Sequence, residues 1–277
     1  MQWISKLYDA ARGAHRERPA AASPQIHHDD LFLVSYPKSG NTWMRFLLAN
    51  LLRITDAGAS DQPIDFHSAV RYVPEYELHT DEVDLAPRPR ILKSHTTFNH
   101  RFPRVVYLVR DPRDVYVSYY HYMRKRIPGE MDIRSFIRMD GLHPSHWHEH
   151  VAGWVDQPNV LVIRYEDMID DTSEQVRRFL RFWDARSFSD DQITDAVERS
   201  SFSNMKQIEQ RKGRPFASEQ LRKLSTPFMR SGRAGAWPTH ISAEDHDYLV
   251  SQMGDLMSRF GYDTRYPETT EDQAHAA

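Results

Sequence analysis

Four short, largely apolar runs divide the chain. Residues 31–34, 90–93, 105–109 and 160–163 are too short to be helices, and each leads into a polar segment. Between and after these runs, apolar residues recur at helical spacing, beginning with the stretch from Met44 to Leu51. Alternation of strands and helices predicts one α/β domain with a central, mostly parallel sheet flanked by helices.

The remaining segments lack this regular alternation. Residues 55–90 mix prolines, acidic residues and aromatic residues without a steady period, which predicts loops and short helices suited to substrate contacts. We expect the domain to span residues 30–266. An N-terminal helix or extension over residues 1–29 precedes it, and a frayed polar tail over residues 267–277 follows it.

Composition narrows the function classes. The formal charge of −3 over 277 residues gives no global positive field, so any anion must be bound by local lysines and arginines, and nucleic acid is not an expected partner. The absence of cysteine excludes a disulfide scaffold, a thiol nucleophile and a thiolate metal site. No apolar run approaches the roughly 20 residues of a membrane span. A cytoplasmic protein is expected.

The octapeptide at residues 36–43 carries the first chemical signal. It follows the first strand and opens a helix, where free backbone N–H groups and the helix dipole favour an anion. The side chains that suit a phosphorylated nucleotide are those of Lys38, Ser39, Thr42 and Trp43, beside the unhindered backbone of Gly40. The loop is P-loop-like but not a Walker A loop, because its lysine precedes the glycine. The interpretation of the chain as a nucleotide kinase therefore loses its main support, a Walker A loop.

This octapeptide, Y-P-K-S-G-N-T-W, resembles the 5′-phosphosulfate loop of the cytosolic-type sulfotransferases, Y-P-K-S-G-T-T-W, and only Asn41 departs from it. These enzymes use 3′-phosphoadenosine 5′-phosphosulfate (PAPS). The resemblance implies a single α/β domain. It also implies that the 5′-phosphate of PAPS is bound by Lys38, Ser39, Gly40, Asn41, Thr42 and Trp43.

A second match covers residues 104–118, where a strand ends at Arg110 and turns into a helix. Asp111 suits the N-cap, and Asp114 completes an arrangement like a capping box. The segment resembles the family's 3′-phosphate site, which implies that Arg110 and Ser118 grip that phosphate, and we count Ser118 among the catalytic residues as well. Without the resemblance, Arg110 is more readily interpreted as a structural ion-pair residue.

Further matches follow in the family's order. Residues 229–237 resemble the loop R-K-G-x-x-G-x-W that closes over the 3′-phosphate, which implies contacts from Arg230, Ser231 and Gly232. Ser231 replaces a lysine and removes one charge, for which Arg233 is the candidate substitute. The positions that match the family's adenine-contacting segments are Tyr165, Ser200 and Phe202.

The candidate reacting groups lie at the end of the second predicted strand. Lys93-Ser94-His95 resembles the family's K-T-H segment, with serine in place of threonine. The resemblance implies that His95 is the general base and that Lys93 holds the sulfuryl oxygens, while Lys38 stabilises charge on the bridging oxygen. A sulfuryl group carries less charge than a phosphoryl group, so lysines replace a metal, and we expect no metal cofactor.

A histidine cluster offers an alternative. Two of the rings of His143, His146, His148 and His150 would lie together on a helix, as in a zinc site. However, residues 147–154 resemble the family's W-x-D-H-V-x-x-W helix, which lines the acceptor pocket without a metal. We therefore favour the acceptor-pocket interpretation.

The predicted activity is transfer of a sulfuryl group from PAPS to a hydroxyl or amine of a small-molecule acceptor, by in-line displacement. The alternatives are a module that senses PAPS without catalysis, and a metabolite kinase that depends on Mg-ATP. The candidate acceptor-lining residues are Phe66, Tyr72, Tyr76, Phe98, His100 and Trp147. The family's C-terminal dimer segment is not clearly present after Trp237, so the sequence does not support a homodimer.

Overall fold

A computed structural model describes residues 24–56, 58, 62–78, 80–124, 131–139, 146–213 and 229–267. The helical pattern predicted at the N-terminus falls almost entirely on residues 1–23, which lie outside the described residues. The tail beyond residue 267 lies outside them as well.

The sheet has four parallel strands in the order β2-β1-β3-β4. The strands are β1 Leu31–Ser35, β2 Ile91–Ser94, β3 Val105–Val109 and β4 Val160–Arg164. The predicted strand bounds agree with these to within one residue, and the predicted parallel α/β fold is confirmed. The chain leaves β1 toward β2 and leaves β3 toward β4, which creates a crevice at the carboxyl ends of β1 and β3. Open α/β sheets bind ligands at such a crevice.

Helices follow the strands and cover both faces of the sheet. They are α1 Asn41–Ile54, α2 Ser68–Tyr72, α3 Thr80–Leu85, α4 Pro112–Met123, α5 Ile133–Ile137, α6 Trp147–Val155, α7 Tyr165–Asp170, α8 Thr172–Trp183, α9 Asp190–Arg199, α10 Phe202–Lys212 and α11 Ala243–Arg259, with a 3-10 turn at Trp237–Thr239. In the described part of the chain, no helix is long and apolar enough to cross a membrane.

The core lies in two layers, one on each face of the sheet. Alternate strand residues such as Leu33 and Val106 pack with α1, α8 and α9, whereas Phe32 and Tyr107 belong to the layer with α4, α6 and α11. Burial on both faces explains why β1 and β3 are continuous apolar runs rather than alternating ones.

The segment before β2 adds a short pairing to the sheet's outer edge. The Lys93 N–H donates to the Pro74 carbonyl at 2.8 Å, and the Tyr76 N–H donates to the Lys93 carbonyl at 2.9 Å. Glu75 thereby forms a parallel bridge with Lys93. The irregular segment 55–90 is thus fixed beside the carboxyl half of β2, where the predicted reacting groups lie.

A buried ion pair joins the start of the domain to β2. Arg90 donates to both carboxylate oxygens of Asp30, at 2.7 and 2.6 Å, and neither side chain is exposed. Arg90 also donates to the Gln25 carbonyl at 2.7 Å, and the Tyr76 hydroxyl donates to the Pro24 carbonyl at 3.1 Å. These bonds fix residues 24–30 against the segment that covers β2.

Candidate active site

The loop between β1 and α1 has the backbone of an anion site. Lys38 and Gly40 adopt positive φ angles of 73° and 95°, so the chain turns sharply before α1 begins. A positive φ at a non-glycine residue such as Lys38 is strained and is typical of functional loops. The first N–H groups of α1 point toward this loop, where the helix dipole favours negative charge.

Two side chains of the loop behave differently from each other. The Ser39 hydroxyl is buried and has no hydrogen-bond partner among the described residues, as expected of a group that awaits a ligand. The Asn41 side chain instead faces β1, where its amide donates to the Leu33 carbonyl at 3.3 Å and to the Ser35 hydroxyl at 3.1 Å. The Asn41 amide nitrogen therefore braces β1, while its buried Oδ1 has no hydrogen-bond partner among the described residues.

Arg110, at the end of β3, joins three parts of the crevice. Its guanidinium donates to the Lys38 carbonyl at 3.2 Å and to the Arg233 carbonyl at 2.9 Å. It also lies 4.2 Å from the centre of the Tyr165 ring. Its Nη2 is 3.7 Å from the Asp114 carboxylate, and its Nε has no partner within the described chain. Arg110 therefore does form an ion pair, with Asp114, and its Nε remains able to donate to an anion.

The capping-box arrangement predicted for α4 was wrong. Asp111 caps the helix by accepting from the Arg113 N–H at 2.9 Å. Asp114 instead accepts from the Gly235 N–H at 2.6 Å, because its carboxylate faces the C-terminal loop and Arg110. Burial raises the pKa of Asp114. Asp114 thus ties the loop at residues 229–236 to α4, a role that its local sequence does not indicate.

Two glycines lie directly against the aromatic rings predicted to contact adenine. A Cβ at Gly40 would lie 2.6 Å from the Tyr165 ring, and one at Gly232 would lie 2.4 Å from the Phe202 ring. Trp43 meets Tyr165 edge-on, with ring centres 5.8 Å apart. The structure therefore brings the phosphate loop against the segment after β4, and the C-terminal loop against the start of α10.

Four further predicted donor-site residues lie on α4, at the end of α9 and in the C-terminal loop. Burial and the positive charge of Arg110 lower the pKa of the Arg230 guanidinium. Ser118 is half-buried on α4, and Ser231 is half-buried in the C-terminal loop. The buried Ser200 hydroxyl lies 3.1 Å from the Asn50 amide. Arg233 is exposed and meets Arg110 through its carbonyl.

His95 lies beside the entrance to the phosphate loop. Its Nδ1 is 2.7 Å from the Ser35 carbonyl, which only accepts, so Nδ1 carries the proton and Nε2 is the basic nitrogen. Burial, followed by the charge of Lys93, lowers the pKa of His95 to about 3. His95 is therefore neutral at physiological pH, the form that a general base needs.

Sequence reasoning missed two carboxyl groups beside this histidine. Lys93 donates to the Glu75 carboxylate, and both residues are buried. Burial acts to raise the pKa of Glu75, but the charge and hydrogen bond of Lys93 together with the charges of His95 and Arg45 outweigh it, and the pKa falls to about 2. Ser94 donates to Glu77, whose second oxygen is buried without a partner in the described structure, and burial raises the pKa of Glu77.

The histidine cluster does not gather as one group. His150 is buried, with its Nδ1 2.8 Å from the Tyr107 hydroxyl and its Nε2 3.2 Å from the His95 carbonyl, whereas the His146 and His148 rings stack 5.8 Å apart at the start of α6. His143 lies outside the described residues. Within the described ranges, no three histidine or acidic side chains are arranged to hold a metal. His150 instead supports the backbone of His95.

The predicted acceptor-lining residues do not form one surface. Phe66 and Tyr72 are buried in the core layer that contains α1, whereas Tyr76 and Trp147 are buried in the opposite layer. Phe98 is 45% exposed and packs edge-on against Trp154, with ring centres 5.3 Å apart. The six residues therefore do not line one partly aromatic pocket together, because four of them fill the core on opposite faces of the sheet.

Comparison with known proteins identifies the class of this molecule. The sulfotransferase-domain family model matches residues 28–261. Sulfotransferase 1E1 from Bos taurus is 30% identical over 236 residues, covering 77% of this chain and 78% of its own. The amine sulfotransferase from Oryctolagus cuniculus is 25% identical over 260 residues, covering 86% and 85%. The chain therefore belongs to the sulfotransferase family.

Solved structures show the same fold. Retinol dehydratase in complex with androsterone and the inactive cofactor PAP has a TM-score of 0.65 at 22% identity, covering 88% of this chain and 84% of its own. Mouse sulfotransferase SULT7A1 complexed with PAP has a TM-score of 0.62 at 24% identity, covering 85% and 87%. The predicted fold and enzyme class, a sulfotransferase, are thus confirmed. The cytoplasmic location and the domain bounds stay predictions.

Proposed function

We propose that this enzyme transfers a sulfuryl group from PAPS to a hydroxyl or amine of a small-molecule acceptor. The observation that carries the proposal is the bond between His95 and the carbonyl of Ser35, the residue that leads into the phosphate loop. A neutral imidazole with a basic Nε2, bonded next to the loop that would bind the donor, supports a general-base role for His95. No acceptor is ranked above another by the described residues.

The residues of the crevice fit PAPS. The Ser39 hydroxyl, which has no partner in the described part of the chain, and the N-terminus of α1 suit the 5′-phosphosulfate. Arg110, Ser118 and Arg230 suit the 3′-phosphate. The glycine backbones at residues 40 and 232, which leave no room for a Cβ, bring the phosphate-binding loops up to the rings that suit adenine. When bound, PAPS supplies an activated sulfuryl group on a phosphate leaving group.

The side chains then divide the chemistry. His95 accepts the acceptor's proton at Nε2 while the acceptor atom bonds to sulfur and the bond from sulfur to the 5′-phosphate oxygen breaks. Lys38 neutralises the leaving phosphate oxygen, and Lys93 donates to the sulfuryl oxygens. The products are a sulfated acceptor, a proton and 3′-phosphoadenosine 5′-phosphate (PAP).

The first test measures donor binding by calorimetry in metal-free buffer. PAP is expected to bind tightly, and adenosine 5′-phosphate weakly, because the latter lacks the group that Arg110 and Arg230 would hold. ATP with and without Mg²⁺ is the control for the kinase alternative. Binding that depends on Mg-ATP rather than on the 3′-phosphate would overturn the proposal.

The second test measures transfer of ³⁵S from labelled PAPS to a panel of acceptors. Relatives and structural neighbours are named for, or complexed with, an amine acceptor, androsterone and retinol, so the panel contains amines, sterols, long-chain alcohols and phenols. A labelled product is expected from at least one class, and EDTA is expected to leave the rate unchanged. Tight PAP binding without transfer to any class would favour the PAPS-sensing module.

A further inference from the structure

Lys93, two residues before the proposed general base, forms a buried ion pair with Glu75. The proposed reaction gives Lys93 a role but gives none to Glu75. Lys93 donates to the Glu75 carboxylate, and the two side chains expose only 9% and 10% of their surfaces. Glu75 matches no motif that identified the donor site. Its position beside Lys93 therefore needs an explanation of its own.

The backbone fixes Glu75 in this place. Hydrogen bonds from the Lys93 N–H to Pro74 and from the Tyr76 N–H to the Lys93 carbonyl pair the chain on either side of Glu75 with β2. Residues that bridge across parallel strands project their side chains from the same face. The carboxylate thus meets Lys93 because the sheet edge holds it there.

The surroundings of Lys93 would otherwise favour its neutral form. Burial lowers the pKa of Lys93, and the charge of Arg45 on α1 acts in the same direction. Glu75 acts to raise the pKa of Lys93, and so, to a smaller extent, does Glu77 in the same irregular segment, residues 55–90, which covers β2. His95 directly follows the last residue of β2, and His150 on α6 acts on His95. Glu75 is therefore the main group that stabilises the charge of Lys93.

We propose that Glu75 is a positioning residue for sulfuryl transfer, whose carboxylate keeps Lys93 in the ammonium form beneath the carboxyl end of β2. The inference rests on the proposed function, because the charge of Lys93 matters only if the sulfuryl group binds at this end of the sheet. An ammonium has three donors, so Lys93 retains donors for the sulfuryl oxygens while it stays bonded to Glu75. Glu75 acts through Lys93 and does not touch the reacting atoms.

The experiment follows the titration of Lys93 itself, so it does not depend on the acceptor. The full chain is labelled with [ε-¹³C]lysine, and the Lys93 signal is assigned with Lys93→Arg. In the wild type, the pH midpoint of the Lys93 signal serves as the reference. In Glu75→Gln the midpoint is expected to fall by about one pH unit or more, a tenfold increase in the acid constant. Glu75→Asp, with a shorter carboxylate, is expected to lie between the two.

The matched control is Glu82→Gln, which removes an exposed carboxylate from the same covering segment and is expected to leave the Lys93 midpoint unchanged. With an acceptor in hand, kcat of Glu75→Gln is expected to fall as pH rises through the lowered midpoint. The affinity for PAP, which lacks the sulfuryl group, is expected to stay at the wild-type value.

The outcomes separate the two proposals. An unchanged Lys93 midpoint in Glu75→Gln would overturn the role of Glu75 even if the wild type transfers sulfuryl groups. A lowered midpoint in an enzyme that transfers nothing would overturn the proposed function and leave the charge-holding contact intact. If Glu75→Gln does not fold alone, the titration is repeated with saturating PAP, because a ligand that binds the folded state stabilises it. An unchanged Lys93 midpoint in that complex would contradict the proposal.

Discussion

At the scale of single residues, His95 carries the most direct test of the chemistry. Replacing it with glutamine keeps a polar side chain but removes the basic nitrogen that would accept the acceptor's proton. We expect His95→Gln to lower kcat by about 10²- to 10⁴-fold, the usual contribution of a general base. The dissociation constant of PAP, measured by calorimetry, should stay close to the wild-type value. Equal activity in the two proteins would remove His95 from the mechanism.

The pH profile tests the protonation state of the same residue. Burial and the charge of Lys93 lower the pKa of His95 to about 3, so the basic form persists as pH falls below the ordinary imidazole value of about 6.5. The kcat/KM of the wild type should therefore show no loss from His95 protonation between pH 8 and about pH 5. An acidic limb with a midpoint near 6.5, absent from His95→Gln, would contradict this.

The sequence predicted some of these residues and not others, for a physical reason. Lys38, Gly40, Arg110 and His95 lie in local motifs at strand ends, where the chain direction alone places them at one edge of the sheet. Glu75 reaches Lys93 only through pairing between segments 18 residues apart in an irregular region. No periodicity records such a contact, so local patterns could not reveal it.

At the scale of elements, Asp114 connects α4 to the C-terminal loop. Its carboxylate accepts from the Gly235 N–H at 2.6 Å and lies 3.7 Å from Arg110. We expect Asp114→Ala to weaken PAP binding about tenfold or more, since a hydrogen bond to a charged group contributes about 1.5–3 kcal/mol. Adenosine 5′-phosphate, which lacks the 3′-phosphate, should bind as before in calorimetry.

The control for Asp114 is Asp170→Ala, which removes an exposed aspartate at the end of α7. A similar loss for both nucleotides in Asp114→Ala would indicate general unfolding of the crevice rather than loosening of one loop.

The strands could be predicted closely because burial on both faces makes them continuous apolar runs. The role of Asp114 could not be predicted, because its partner Gly235 lies 121 residues further along the chain.

At the scale of the whole molecule, the Asp30–Arg90 pair joins the domain's first residues to β2 and its covering segment. Both side chains are fully buried, so removing the Asp30 carboxylate leaves the Arg90 guanidinium in the core with only the more distant carboxylate of Asp84, at 3.5 Å. We expect Asp30→Ala to lower the free energy of unfolding by about 3–5 kcal/mol, the usual effect of breaking a buried pair. Guanidinium chloride denaturation measures it, with exposed Asp29→Ala as the control.

The same variant tests whether this end of the sheet acts as one unit. Arg90 immediately precedes Ile91, the first residue of β2, which carries both Lys93 and the strand end that leads to His95. If the pair fixes that strand, kcat should fall in Asp30→Ala under conditions where the protein is still folded, while PAP binding at β1 and β3 is retained. Loss of stability with unchanged kcat would show instead that the pair supports the fold alone and that backbone pairing suffices to hold β2.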